Sequence, residues 1–504
     1  MNLQKFIMAG VALALLPTSL TFAETKIDAT RATAAGVRDF GFELFQSLTA
    51  AKKSDGDSVA ISPLSLAEAI TLATNGAKEK TRTELEDLFI SPELRRQGAD
   101  IGMLTVGVVN LRKRLAEYAK KSDGTFEFTS ANALWANENP NVEFKFHEPY
   151  TKLATDNYGA KLTTEDFATL TKIKTKSGEE KEVQRAVANI NTWVDKNTKG
   201  KITDLVDKLG REDVAVLLNA IYAKGQFREH FYEISEGDYT AAKDDKPIRV
   251  SYLTKKEHVG IYDDNKVTAY SFNVGSNKPN APKDEIAVDI LVPKAGDLRT
   301  LAKSLNGKYY EEIVEKFKVK EIILSMPAGR VEQQRAEKLK QFLIEKPFDL
   351  KQSFDKSAAN FLAMGQVKDK RNLYIDDILT KTFYEVSPFG FEAAAATAVL
   401  MAGKTSAPKQ PEARRISQPA IHVIRHIATG LPLFIVSYDK PTLYTEAQLL
   451  DFVVEGYAKT RGVVAIVKGG TIRVAYDEKK QKEVLALTDT TGKIVKEFAQ
   501  DLKK

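Results

Sequence analysis

The 504-residue chain contains no cysteine. That absence excludes disulfide frameworks, cysteine-ligated zinc, iron–sulfur clusters and cysteine nucleophiles together. Histidine is scarce at five residues, and tryptophan scarcer at two. His422 and His426 are four apart, but they enclose Val423-Ile424-Arg425 and lack the general-base glutamate of a zinc-protease helix. The histidines therefore read as structural or surface side chains, and no metal site is expected. No apolar run approaches the roughly 20 residues that cross a bilayer. Net charge is only +6, from 74 basic and 68 acidic residues. Without long blocks of like charge there is no electrostatic footprint for nucleic acid. The G-x-S-x-G and G-x-G-x-x-G motifs are also missing. Met401-Ala402-Gly403-Lys404-Thr405 ends like a phosphate-binding loop, but Ala398 stands where that loop needs glycine. No catalytic constellation remains, so neither an enzyme nor a cofactor is expected.

What is present describes an exported globular chain. Hydrophobic residues make up 43% and charged residues 28%, which is neither disordered nor fibrous. At roughly 100–200 residues per domain, the length allows two to four domains. Met1–Lys5 carries one positive charge, Phe6–Leu16 is apolar, and Pro17 ends the run before Thr21-Phe22-Ala23. This layout predicts a signal peptide over residues 1–23, cut after Ala23, and an extracellular or periplasmic destination.

Helical and strand-like segments then mix without a regular period, which predicts an α+β fold. The spacing predicts helices over 30–50 and 100–120, and a helix capped by Ser65 that ends near Gly76. Strands are expected at 126–128, 214–222, 286–292, 322–326 and 433–438. After Pro441 the pattern changes to short strands at 463–468, 471–476, 483–488 and 493–498, with turns at Gly469-Gly470 and Thr491-Gly492. Residues 442–504 thus read as a small β-rich appendage of unknown role, with a short helix near 445–453. Surface attachment is one role it suggests.

Asn372–Phe383 leads into Gly390-Phe391-Glu392-Ala393-Ala394-Ala395-Ala396-Thr397. This stretch resembles the hinge and reactive-centre loop of the serpin family. Five further blocks agree in the same order: Ile61–Ser65; Asn189–Val194 with Thr198–Ile202; Leu218–Gly225; Asp289–Pro293; and Thr429–Phe434. The resemblance runs over about 35–441, so a serpin domain is expected at 30–441. By propensity alone the alanine tract would be a helix. As a strand it would turn Phe391, Ala393, Ala395 and Thr397 to one face and Glu392, Ala394 and Ala396 to the other.

The resemblance implies a large central β-sheet, additional sheets, surrounding helices and an exposed loop. It also implies suicide inhibition of a serine protease by a monomer. The loop is cut, an acyl-enzyme forms, and the loop inserts into the sheet before deacylation. The family's spacing from Gly390 puts the reactive bond at Lys404–Thr405, and a lysine there suits a trypsin-like pocket. Counting back from Pro419 reaches Pro408 instead; since proline is a poor bait, the extra residues fall after the bond. Lys409, Arg414 and Arg415 are backup cut sites. The sheet-opening cluster maps to Ser62, Ser65, Asn219 and Thr380, the last where many members have histidine. Pro388 replaces a usual acid, Phe227 a usual tryptophan, and Phe391 a usual small residue. The bulk of Phe391 is expected to slow insertion. That motivates the alternative of a non-inhibitory serpin acting as a binding or substrate-like module.

Overall fold

The first helix of the computed structural model, Ala29–Ala50, starts where the Asp28 carboxylate accepts from the backbone N–H groups of Thr30 and Arg31, both at 3.1 Å. Val37, Phe40, Phe42, Leu44, Phe45 and Leu48 are all buried along it. The structure describes residues 27–52, 58–174, 177–241, 246–276, 281–294, 297–332, 337–368, 373–391, 411–439, 441, 443–459, 462–499 and 502. The leader at 1–23 lies outside them. So do Glu392, Ala393, Ala394, Ala395, Ala396, Thr397, Lys404 and Thr405.

The second helix, Pro63–Gly76, begins three residues before the position expected from Ser65. Pro63 fits the first helical turn, where its missing N–H costs nothing. Ser62 is therefore the cap, accepting from Ser65 N–H at 3.3 Å, and the Ser65 hydroxyl is left for other work. The helix Ile101–Lys121 packs beside these two.

Two sheets organise the rest. The larger has 13 strands among the described residues. Its path runs through Ala60–Ile61, Leu431–Tyr438, Ala420–His426, Ile286–Pro293, Val267–Val274, Ile248–Asp263 and Glu233–Tyr239. It continues without a break into Val464–Val467, Gly470–Asp477, Lys482–Thr488 and Ile494–Glu497. The joint is a parallel ladder, Val464 opposite Glu233 and Ala465 opposite Ile234. Strand Lys318–Pro327 branches off to pair with Ile248–Asp263 and Glu412–Arg415.

The smaller sheet has six strands among the described residues. In order they are Gly329–Glu332, Phe383–Ser387, Gly390–Phe391, Ala215–Gln226, Phe126–Asn137 and Lys161–Glu165.

A chain without cysteine must hold its layers by packing and by buried polar links. One such link centres on Asp289, which is fully buried. It accepts from Arg425 Nε at 2.6 Å, from the Tyr310 hydroxyl at 2.5 Å and from the Ser271 hydroxyl. Three strands and the helix Gly307–Glu315 meet at this carboxylate. Both scarce histidines of strand Ala420–His426 are buried. His422 pairs with the Tyr384 hydroxyl at 3.0 Å, and burial holds its pKa down to about 3. His426 instead meets Thr429 and Glu285.

Candidate functional site: the hinge and the open sheet

Strand Phe383–Ser387 ends in a tight reversal at Pro388-Phe389, and Gly390–Phe391 runs back antiparallel beside it. The return strand also pairs antiparallel with Ala215–Gln226, Gly390 opposite Gln226 and Phe391 opposite Gly225. The turn's backbone acceptors are taken: Phe227 N–H donates to the Phe389 carbonyl at 3.0 Å, and Phe231 N–H to the Pro388 carbonyl at 2.9 Å. Ser387 closes it from within, its hydroxyl donating to the Gly390 carbonyl at 3.2 Å.

Two glycines make this packing feasible. A β-carbon on Gly390 would strike the Gly225 backbone, and one on Gly225 would strike the Phe391 ring. Phe391 is 2% exposed. The side chain expected to obstruct the sheet thus has a seat in it. Pro388 is buried beside it, and Phe227 packs edge-on to Phe231 and Phe272. The ammonium of Lys255 lies 4.1–4.7 Å from these three ring centroids and ion-pairs with Glu257. Burial lowers its pKa.

Among the described residues, the strands Phe383–Ser387 and Ala215–Gln226 share no ladder of their own. With one strand between them they stand two ladder spacings apart, about 10 Å. Beyond Phe391 that separation continues as a cleft of about 880 Å³. It is walled by Ala215–Ala223 on one side and by Ile375–Phe383 on the other, with Ser65 and Leu66 on its floor.

The four residues assigned to sheet opening line this cleft. Three are bonded together. Ser62 Oγ donates to the Leu433 carbonyl at 2.8 Å, and the Ser65 hydroxyl donates to Asn219 Oδ1. Asn219 Nδ2 reaches Asn132 Oδ1 at 2.9 Å and Glu68 Oε2 at 3.2 Å. Thr380 stands on the opposite wall, in a short ladder with Glu337.

Glu68, Asn132 and Ser130 complete the polar network, and the sequence reading missed them. Glu68 is fully buried; its Oε2 also accepts from Ser130 at 2.5 Å and Asn132 at 3.0 Å, while Oε1 has no partner. Burial, opposed by these hydrogen bonds, holds its carboxyl above the ordinary range. The usable signal was its place one turn beyond Ser65 on the same helix face.

Arg414 and Arg415 lie in the strand Glu412–Arg415, paired with Leu324 and Ser325. The Arg415 guanidinium sits 3.7 Å from the Tyr252 ring centroid. A protease reads an extended chain by pairing with it, and here one edge of that strand is already laddered to Lys318–Pro327. No helix among the described residues is long and apolar enough to cross a membrane, and none of them form a cluster able to hold a metal ion.

A family model described as "Serpin (serine protease inhibitor)" matches residues 35–441. The chain is a serpin. It is 26% identical over 409 residues to antithrombin-III of Homo sapiens, covering 78% of this chain and 79% of that one. To serpin-Z2A of Triticum aestivum it is 27% identical over 406 residues, covering 79% and 93%. The native-state crystal structure of the thermophilic serpin tengpin superposes with a TM-score of 0.64 at 23% identity, over 83% of this chain and 96% of that one. Human thyroxine-binding globulin gives 0.66 at 18% identity, over 82% and 100%. These structures share the α+β serpin fold with its large sheet and smaller sheets.

Proposed function

We propose that this serpin is an exported suicide inhibitor of a trypsin-like serine protease, acting as a monomer through the Lys404–Thr405 bond. The carrying observation is the hinge. Gly390–Phe391 forms a strand bonded on both edges, at the mouth of a cleft one strand wide.

The chemistry divides between the two proteins. The protease serine attacks the Lys404 carbonyl carbon; the peptide bond to Thr405 breaks, and the Thr405 amine leaves as a new N-terminus. The enzyme remains esterified to Lys404. Residues 392–404, freed at one end, continue the strand begun at Phe391 and gain a ladder on each side. Glu412–Arg415 stays fixed in the larger sheet, so the two sides of the cut separate. The protease is carried with the first side before water reaches the ester. Each ladder bond is worth about 1 kcal/mol net, and burial of the inserted side chains adds to the ladder against the ordering of the loop. The intact form is then held by a barrier rather than by its free energy.

The seat that Gly225 gives Phe391 favours this reading over the non-inhibitory alternative. The test is incubation of the leaderless chain with trypsin, followed by a denaturing gel. A band at the summed mass, resistant to denaturant, is the expected result. Clean cleavage after Lys404 with all trypsin recovered active would sink the inhibitor reading.

Export through the leader at 1–23 is part of the same proposal, and its test is N-terminal sequencing of the secreted product. Surface attachment through 442–504 is tested by fractionating cells that produce the chain with and without that segment.

A further inference from the structure

Among the described residues, the C-terminal segment shares its core with the serpin body. Leu449, Val453, Val463, Ala465, Ile472 and Leu485 are buried in the same continuous cluster as Phe389 and Phe391. Its first aromatic side chain lies against the hinge. Tyr444 is 6% exposed, and its hydroxyl donates to the Val386 carbonyl at 3.1 Å. Its own N–H donates to Ser251 Oγ at 3.0 Å, which fixes the ring's base. The Tyr444 ring lies 4.8 Å from that of Phe452, on the helix Glu446–Lys459, and Phe452 lies 6.3 Å from Phe389 in the hinge turn.

A second route leads to the same turn. Phe231 N–H holds the Pro388 carbonyl, and the next residue, Tyr232, accepts from Val464 N–H at 2.9 Å. Glu233 and Ile234 then carry the parallel ladder to Val464 and Ala465. One short stretch, Phe231–Ile234, thus grips the hinge with its first residue and the extension with the other three.

We propose that the extension positions the hinge: Tyr444 and Phe452 hold the Val386–Gly390 turn in the shape from which the loop enters the sheet, and thereby set how fast the cut loop inserts. The rate claim rests on the loop-insertion mechanism proposed above. The turn is the pivot of insertion, because every later residue adds to a strand that starts at Gly390. Ordering the pivot beforehand removes that cost from the race against deacylation. A looser pivot gives the protease more time to finish hydrolysis and escape.

The test uses the full chain with Tyr444→Phe, Phe452→Ala and Phe452→Leu. Tyr457→Phe is the control, since that hydroxyl bonds to Glu483 within the extension. The first readout is amide hydrogen exchange over 384–391 in the intact chain, which involves no protease. Tyr444→Phe is expected to exchange about fivefold faster there, the effect of one lost hydrogen bond, and Phe452→Ala faster as well, through the lost ring contacts with Tyr444 and Phe389. Phe452→Leu, which keeps the packing, and Tyr457→Phe stay near wild type. The second readout is the share of trypsin trapped as covalent complex. It falls in the two loosening variants while the denaturant midpoint of the whole chain stays with the control. Unchanged exchange in both variants overturns the positioning claim. Faster exchange with an unchanged trapped share overturns the rate claim. If the wild-type chain, once cut, gains no heat resistance, the insertion mechanism itself fails, and the rate claim with it, while the exchange data still decide whether the extension holds the hinge.

Discussion

Gly225 and Phe391 are register partners across the hinge strand, and the Phe391 ring fills the space a side chain at 225 would need. A feature that looked like an obstacle in one segment is answered by a glycine 166 positions away. Gly225→Ala is expected to cost about 1–3 kcal/mol by overpacking and to release the hinge strand. Exchange at Phe391 and proteolytic sensitivity of the loop both rise. Adding Phe391→Ala to that chain relieves the ring's share of the clash while that with Val274 remains, and a double-mutant cycle measures the coupling. Additive effects would mean the ring is not seated there in solution.

The pairing also marks where sequence reading stopped. Gly390 and Phe391 were legible as hinge residues from their own neighbours. The small sheet's long strands were legible only in part: Ala215–Gln226 was expected to end at 222, and of the 12 residues of Phe126–Asn137 only 126–128 were expected. Partners across a ladder leave no local trace, so neither Gly225 nor the Val464–Glu233 joint could be found by periodicity. The extension's strands were predicted within about two residues of their ends, yet nothing in them named the surface they join. Glu68 was passed over because, among 68 acids, a single carboxylate stands out only once its burial is known.

Glu68 gives a pH prediction. Its folded-state pKa is raised, chiefly by burial, so the folded chain holds a proton that the unfolded chain releases more readily. The stabilisation from protonation is fully present below the ordinary value of 4.5 and is lost as pH rises through the raised value. Glu68→Gln mimics the protonated form. Its stability advantage over wild type should grow from acid to neutral pH, read as the gap between urea midpoints. A gap that stays flat across that range would rule out a titrating Glu68.

The Asp289 network offers a stability test remote from the loop. Arg425→Ala leaves a fully buried carboxylate without its cation. A loss of about 3–5 kcal/mol is expected, seen as a lower denaturant midpoint for the intact chain. Arg425→Lys keeps the charge but not the paired contact in which Nε and Nη2 each donate to one Asp289 oxygen, at 2.6 and 3.2 Å, and should fall between.

At the reactive bond, Lys404→Ala should abolish the covalent complex with trypsin, and Lys404→Arg should keep it. If trypsin still forms the complex with the alanine variant, mass spectrometry of the released C-terminal fragment will locate the bond actually used.

Cleavage should also change heat resistance. After a cut in the loop, the chain is expected to unfold well above the intact form's midpoint in a calorimetric scan. Equal midpoints would mean the cleft has not been filled.

The joint between Val464 and Glu233 has one more consequence, for the period before the chain is complete. Synthesis runs from the N-terminus, so the serpin body emerges first and the last 60 or so residues follow some seconds later. Until they arrive, Glu233 and Ile234, which begin the strand Glu233–Tyr239, lack their ladder to Val464 and Ala465 and are open to any strand that meets them. Once they have folded, that end of the strand is paired, and the sheet path closes on Ile494–Glu497, four residues long, with Lys496 and Glu497 turned to solvent. The extension thereby closes two open ladder positions, and a molecule truncated at 441 would leave them bare.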